Sequence, residues 1–454
     1  MNYLNLCEKA ILSAERAGAE EAEALIIGGQ EIGVNIERAE IKACSDVADI
    51  GMAIRAIIDG KMGFAYTNML KKKQVEKTAI QAVKASNASV KDKNWKHLPE
   101  RERYPDVQNI YDARMLKITS DDAVVLCRGM MAAAVEVDKK VLPAFGGTEI
   151  SIQDIACVNS HGIAVEEKGT ALVCYLQTMA RSETQVSPSC FEFKASRMYE
   201  PDPEWIGREA ARLAVESLNV GKAETGKFPV LLDQIALQSI LTFTFIEAIK
   251  GDMVYRGRSA FGNKIGQKVA EENITIYDDG TLVGGLYSGK TDLEGVPKQK
   301  TSIIENGTLH GFLYDNYWAR LERKKSTGNA QRGGGGLRLP LYGTIPTINP
   351  TNIRLQPGKA SDDELVSEVR NGYYVRSVQG AHQSNPETGE FSVALAPAWR
   401  IENGEITQAV KGVMIAGNAY EMLSKISLVG RETRQVGTFI APKVIVSKLN
   451  VISK

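Results

Sequence analysis

Four dipeptides constrain the fold of this chain more than any other feature. Asp59-Gly60, Asp279-Gly280, Asn306-Gly307 and Asn403-Gly404 each fall between runs in which apolar and polar residues alternate. Both residues of such a pair tolerate positive φ, so each reads as a tight turn joining antiparallel strands. Hairpins at both ends of a chain must be covered by something apolar, and the helical patterns between them supply it. Leu4, Cys7, Ile11 and Ala14 recur at helical spacing, and Gly18 stops the helix. Ile32, Val34 and Ile36 then alternate with polar residues, and strands over 50–58 and 62–66 flank Asp59-Gly60. The spacing predicts a helix over 75–85, followed by a connecting loop over 91–106 that contains Pro99 and Pro105.

The same order then returns. Ser120 is the expected cap of a helix carrying Val124, Cys127, Met131 and Val135. Strands over 149–158 and 172–179 flank the turn Asn159-Ser160-His161-Gly162, and Asp202-Pro203 opens a helix with Ile206, Ala210, Leu213 and Ser217 on one face. The alternation suggests a weak internal repeat without sequence identity. From Phe228 the character shifts. A short buried strand over 230–232 leads into a helix over 234–250 that ends at Gly251. Beyond it lie the remaining turn dipeptides, two copies of Ile-Glu-Asn-Gly at Ile304 and Ile401, a helix opened by a Ser361/Glu364 capping box and closed by Gly372, and a last strand over 444–451. The fold class is therefore α+β. Residues 1–225 form an N-terminal domain of helices packed on antiparallel strands, and 226–454 a β-rich, mainly antiparallel domain, with the boundary near 221–227.

Charge argues against one broad class. Lys and Arg number 55, as do Asp and Glu, whereas a dedicated nucleic-acid binder is usually basic. The longest apolar run, near 235–249, is broken by Gln238, Thr242 and Glu247 and is too short and polar to cross a bilayer. The N-terminus has no basic and apolar leader pattern, and the six cysteines have no paired short spacing. Both point to a reduced, cytoplasmic setting.

Chemistry-bearing motifs are scarce. His97, His161, His310 and His382 lie far apart, with no His-Glu-x-x-His or Cys-x-x-Cys, so no local metal site is expected. Ser160 and His161 are adjacent within a turn and point apart, which leaves no nucleophile–base pair. The glycine run 333–336 lacks a following Lys-Ser/Thr and reads as a mobile loop rather than a phosphate cradle. Arg320, Arg323, Lys324, Lys325, Arg332 and Arg338, near Trp318, form a basic stretch. The neutral total charge favours a solvated loop or a protein-facing surface there over a phosphate-binding one.

The segment Gly251-Asp252-Met253-Val254-Tyr255-Arg256-Gly257-Arg258-Ser259-Ala260-Phe261 resembles the TldD/PmbA family, also called modulators of DNA gyrase. Asp278-Asp279-Gly280-Thr281, Asp292-Leu293-Glu294-Gly295-Val296, Ile304-Glu305-Asn306-Gly307, Ser326-Thr327-Gly328-Asn329 and Ile415-Ala416-Gly417-Asn418 are similar to its later elements, and Asp59-Gly60-Lys61-Met62-Gly63-Phe64 to an early one. The order and spacing of these segments carry the likeness over nearly the whole chain.

The resemblance implies a division of labour between two kinds of subunit. TldD-type chains carry His-Glu-x-x-x-His before the Gly-Asp junction and bind zinc with a later Cys, while TldE (PmbA-type) chains lack those ligands and pair with a TldD-type chain. Aligned on Gly251-Asp252, this chain has Thr242, Phe243 and Glu247 at the motif positions, and its last cysteine is Cys190. Thr is a poor zinc ligand, and Phe is neither ligand nor general base. The implied role is a non-catalytic subunit, without a cofactor of its own, of a peptidase acting on unfolded or small peptides. Zinc is expected only in the TldD-like partner. The expected assembly is a homodimer alone and a heterodimer with that partner.

Residues i and i+5 of a regular helix are about 140° apart, so the family's metal motif needs a distorted helix. Without ligands the distortion has no reward, and Gln234, Gln238 and Thr242 form a polar stripe on an otherwise apolar helix. Gln238, Arg256, Arg258, Thr327 and Asn329 are candidate contacts to peptide or partner. Two other readings stay open at this level: a peptidase acting alone through an unrecognised site, and a nucleic-acid or gyrase-associated binding protein.

Overall fold

The computed structural model describes residues 2–333 and 340–453. The N-terminal part runs α1 (Tyr3–Arg16), β1 (Glu21–Glu37), β2 (Glu40–Ile58), β3 (Lys61–Thr67), α2 (Lys72–Ala88), then α3 (Ser120–Val137), β4 (Val141–Asn159), β5 (Ala164–Ala180), β6 (Cys190–Ser196) and α4 (Pro203–Glu216). The strands form one antiparallel sheet in the order β3-β2-β1-β4-β5-β6. That order is mirrored about the β1–β4 seam, with a helix, three strands and a helix on each side.

The sheet is buried on both faces at its centre. Ala24, Ile26, Ile32, Val34 and Ile36 of β1 face the helices, and Leu25 and Ile27 face the other way, toward Leu293 and Tyr342. A strand covered on both sides reads as a continuous apolar run, so residues 24–27 carry no alternation to read. Helix packing depends on close backbone approach: a Cβ on Gly207 of α4 would stand 2.2 Å from the Met130 carbonyl oxygen of α3.

Three of the four turn dipeptides place both residues at positive φ, as a tight hairpin requires: Asp59-Gly60, Asn306-Gly307 and Asn403-Gly404. Asp279-Gly280 is different. The strand Ile276–Asp279 pairs with Lys300–Glu305 across a long excursion, and the Asp279 carboxylate accepts from the Thr281 N–H (3.0 Å) and hydroxyl (2.8 Å). The side chain supplies a local turn where the sequence suggests a hairpin. The cap of α3 is Thr119, not Ser120, because Thr119 forms a reciprocal capping box with Asp122.

The C-terminal part begins with β7 (Val220–Gly221) and β8 (Gly226–Leu232) and builds a 14-stranded sheet. Its spine is the last strand, Phe439–Ser453, which pairs with β8, Ile353–Leu355, Val413–Asn418 and Ile426–Val436. The sheet is not purely antiparallel. β8 runs parallel to Gly372–Val375, β7 to Glu405–Val410, and Ile353–Leu355 to the last strand. Alternation reports which face a residue takes and is silent about strand direction, so these pairings are invisible in sequence.

The helix expected over 234–250 is broken into α5 (Gln234–Thr242) and α6 (Phe245–Ala248), followed by α7 (Gly251–Tyr255). The break lies at Thr244, with φ −132° and ψ −76°. The Thr244 hydroxyl donates to the Ile240 carbonyl at 2.8 Å, while its N–H turns to the Leu241 carbonyl at 3.4 Å. The side chain thus takes the acceptor that the i→i−4 ladder would use, and the ladder fails there.

Candidate functional site

The broken helix starts at a buried ionic anchor. Asp233 caps α5 through the Ile235 N–H (3.1 Å), accepts from the Tyr374 hydroxyl (2.9 Å) and pairs with Arg376. Arg376 also reaches Glu192 of β6 at 2.5 Å, and Arg434 pairs with the same carboxylate. This network ties the edge of the N-terminal sheet to the first turn of α5.

At the other end of α5 lie Thr242 and Phe243, with Glu247 following in α6. Gln238 donates to the Thr242 hydroxyl at 2.8 Å, so Thr242 is engaged within its own helix. Phe243 is exposed, with its ring edge-on to His382 at 6.4 Å between centroids. Glu247 is paired with Lys250 at 2.7 Å, and Lys250 also donates to Asn349 at 3.2 Å. Among the described residues no group of three or more His, Cys, Asp or Glu side chains is placed to hold a metal. The donor chemistry at the motif is a hydroxyl already bonded, a phenyl ring and a carboxylate paired with an ammonium, a set that does not fit a zinc centre.

The Gly251-Asp252 junction is shaped by contact. A Cβ on Gly251 would lie 2.2 Å from the Tyr314 ring, and the Gly251 N–H donates to the Leu313 carbonyl at 2.8 Å. One Asp252 carboxylate oxygen is buried and finds no partner among the described residues. Arg256 stacks over Trp318 at 5.0 Å, and Arg258 pairs with Glu387 at 2.6 Å. Thr327 and Asn329 sit elsewhere. The Thr327 hydroxyl bonds the Tyr314 carbonyl (3.0 Å) and Asn329 (2.6 Å), and the fully buried Asn329 donates to Asp278 at 2.7 Å. The structure therefore groups Gln238 with Thr242 and Thr327 with Asn329, and sets Arg256 and Arg258 in contacts of their own.

The basic stretch does not form one face. Lys324 is bonded to the Tyr314 hydroxyl and to Glu322, Arg320 to Asn316, and Arg332 lies inside the molecule. Arg338 and Gly334 to Gly336 of the glycine run fall outside the described residues.

Arg332 belongs to a second ionic network that sequence reading does not reveal. Arg55 of β2 pairs with Glu23 of β1 and, at 2.9 Å, with Glu294. Arg332 reaches Glu23 at 2.8 Å and the Thr344 carbonyl at 2.6 Å. Asp292 accepts the N–H groups of Glu294 and Val296, both at 2.9 Å, and of Ala330 at 3.1 Å. Burial first and the neighbouring Glu294 second push its carboxyl well above the ordinary range. The run Asp292-Leu293-Glu294-Gly295-Val296 thus serves the junction between the two halves. The only sequence signal for it is a pair of acids in an otherwise apolar, glycine-containing stretch.

A cavity of about 750 Å³ lies beside this junction. Its floor is formed by β2, β1, β4 and β5, and its wall by the loops around 286–298 and 340–342. Arg197 and Lys298 are set into the wall, and Glu167 stands on β5 of the floor beside them. Burial lowers the affinity of Arg197 and Lys298 for their protons and raises that of Glu167.

Comparison with known proteins places these features in context. Residues 22–86 match domain 1, 115–218 the central domain and 225–453 the C-terminal domain of the PmbA/TldA metallopeptidases. The chain is 33% identical over 438 residues to an uncharacterised protein of Methanocaldococcus jannaschii, covering 96% of this chain and 98% of that one. It is 26% identical to the metalloprotease PmbA of Escherichia coli O157:H7, over 96% of this chain and 93% of the relative. The crystal structure of TldE from Thermococcus kodakarensis superposes with a TM-score of 0.93 at 29% identity, over 99% of this chain and 100% of that one.

Proposed function

The chain belongs to the PmbA/TldD metallopeptidase family, and from that membership we propose that it is the non-catalytic, TldE-like subunit of a zinc peptidase acting on unfolded or small peptides. The observation that carries this reading is the donor set at the broken helix. Thr242 is bonded to Gln238, Phe243 offers no donor atom, and Glu247 is neutralised by Lys250. A hydrolytic zinc site needs three protein ligands and an open position, and the general base must be within reach of the bound water. These residues supply neither. Zinc and the water-activating acid belong to a TldD-like partner, and this chain contributes surface that completes the peptide chamber. The bend at Thr244 is kept by its own hydrogen bond, so the helix retains a shape suited to that surface without a metal.

The chain alone is expected to be a homodimer that exchanges into a heterodimer with the partner, through an interface above about 2,000 Å² of buried surface. The test combines metal analysis with peptide cleavage by the purified chain, by a TldD-like partner and by their mixture. Negligible zinc in this chain and cleavage that depends on the partner are expected. About one tightly held zinc per chain, or cleavage of an unfolded peptide by this chain alone, would overturn the proposal.

A further inference from the structure

The cavity on the N-terminal sheet shares no lining residue with the broken helix, and its charges are unusually arranged. Lys298 donates to the Tyr287 carbonyl at 2.8 Å. Arg197 spends Nε and Nη2 on the Ile110 carbonyl (3.1 and 2.7 Å) and Nη1 on the Leu286 carbonyl at 2.8 Å. Neither cation has a carboxylate within ion-pair distance among the described residues. The nearby acid, Glu167, accepts the Lys290 N–H at 2.9 and 3.1 Å. At that end of the cavity two half-buried cations thus lack a direct counter-ion, and Glu167, Asp292 and Asp278 act on Lys298 only from beyond ion-pair distance. Elsewhere in this fold buried cations are tightly paired, as Arg55, Arg332 and Arg376 are.

The space around these groups is cleared by missing side chains. A Cβ on Gly169 would lie 2.4 Å from Nη2 of Arg197, and one on Gly289 would lie 2.9 Å from Oε1 of Glu167. The opposite end of the floor carries Glu31 and Asp49, the latter accepting from the Tyr342 hydroxyl at 2.6 Å. The two ends lie on β5 and on β1 and β2, and the floor spans β2, β1, β4 and β5. Three inter-strand steps of about 4.8 Å give roughly 14 Å, the length of about four extended residues. The apolar residues Val47, Leu286 and Leu341 also line the cavity.

We propose that this cavity binds a short peptide of about four residues, with its free C-terminal carboxylate on Lys298 and Arg197 and its amino end toward Asp49 and Glu31. The proposal builds on the reading of the chain as a peptidase subunit. It gives that subunit a termini-reading site of its own, suited to small products or substrates. The half-buried ammonium of Lys298 gains a direct counter-charge when the carboxylate arrives, which makes that contact the dominant one.

The test uses the full-length chain, without partner or metal, in calorimetric titrations with tetra-alanine, its C-terminal amide and its N-acetyl form. Free tetra-alanine is expected to bind saturably, the amide at least about tenfold more weakly, and the N-acetyl form only a few-fold more weakly because its acid end is exposed. Lys298→Met should bring free tetra-alanine down to the affinity of the amide and leave the amide unchanged, while Lys298→Arg should retain the difference. Melting curves establish that both variants are folded. Equal affinity for the free and amidated peptides, or no saturable binding up to about 10 mM, overturns the proposal. Binding of acetate as tightly as tetra-alanine would also overturn it, since the site would then be a carboxylate pocket and not a peptide site. Because neither partner nor metal is present, none of these outcomes depends on whether partner-dependent cleavage is found.

Discussion

The Asp315 carboxylate caps the helix Asn316–Leu321 by accepting the Trp318 N–H at 2.9 Å, and does so from a buried position. Burial, then the nearby Glu294 carboxylate, pushes it up to about 7. The folded state therefore holds this proton more tightly than the unfolded chain does. At this site stability is highest below the unfolded value, near 4, and is lost as pH rises toward 7. Asp315→Asn keeps a capping oxygen and removes the buried charge. The variant should be more stable than the parent at pH 8, by on the order of 1–3 kcal/mol, and equal or weaker at pH 4. Urea unfolding at both pH values checks this, and a stability difference unchanged between them would mean that the Asp315 carboxyl titrates alike in the folded and unfolded chain.

Among the elements, the α3–α4 pair depends on the absence of one side chain. Gly207 meets the Met130 carbonyl oxygen so closely that a Cβ would stand 2.2 Å away, with the next atom, the Ala133 Cβ, at 3.0 Å. Backbone cannot swing aside as a flexible side chain can. Gly207→Ala should separate the helices and cost about 1–3 kcal/mol despite alanine's better helix propensity. A denaturation midpoint raised by the substitution would show that the helices do not approach as described. The α5–α6 break obeys the same kind of local rule, with Thr244 Oγ1 occupying the Ile240 carbonyl.

For the whole molecule, two buried ionic networks join the N-terminal sheet to the C-terminal part. Arg55 and Glu23 of the N-terminal sheet meet Glu294 and Arg332, while Glu192 of β6 meets Arg376 and Arg434. Removing one partner of such a cluster leaves uncompensated charge inside the protein. Arg55→Met should cost about 3–5 kcal/mol. Since the cluster spans both halves, the loss should also uncouple them, turning a single calorimetric transition into two. One transition shifted by less than about 1 kcal/mol would place the coupling elsewhere. No described helix is long and apolar enough to cross a membrane.

Local chemistry was legible in the sequence wherever a residue acts through its own backbone. The turns at Asp59-Gly60, Asn306-Gly307 and Asn403-Gly404, the Ser361/Glu364 capping box and the α1 face of Cys7, Ile11 and Ala14 needed no tertiary information. The family likeness was likewise readable, because it rests on residue order. Tertiary structure decided what depends on partners distant in sequence. It paired the strand ending at Asp279 with one beginning at Lys300, and gave β8 a parallel neighbour more than a hundred residues away. It also drew Arg332 out of an apparent basic surface into a pair with Glu23, and set Arg197, Lys298 and Glu167 around one cavity. Hydrophobic period and turn propensity are short-range quantities. A charge's counter-ion and a strand's neighbour are fixed only when the chain closes on itself.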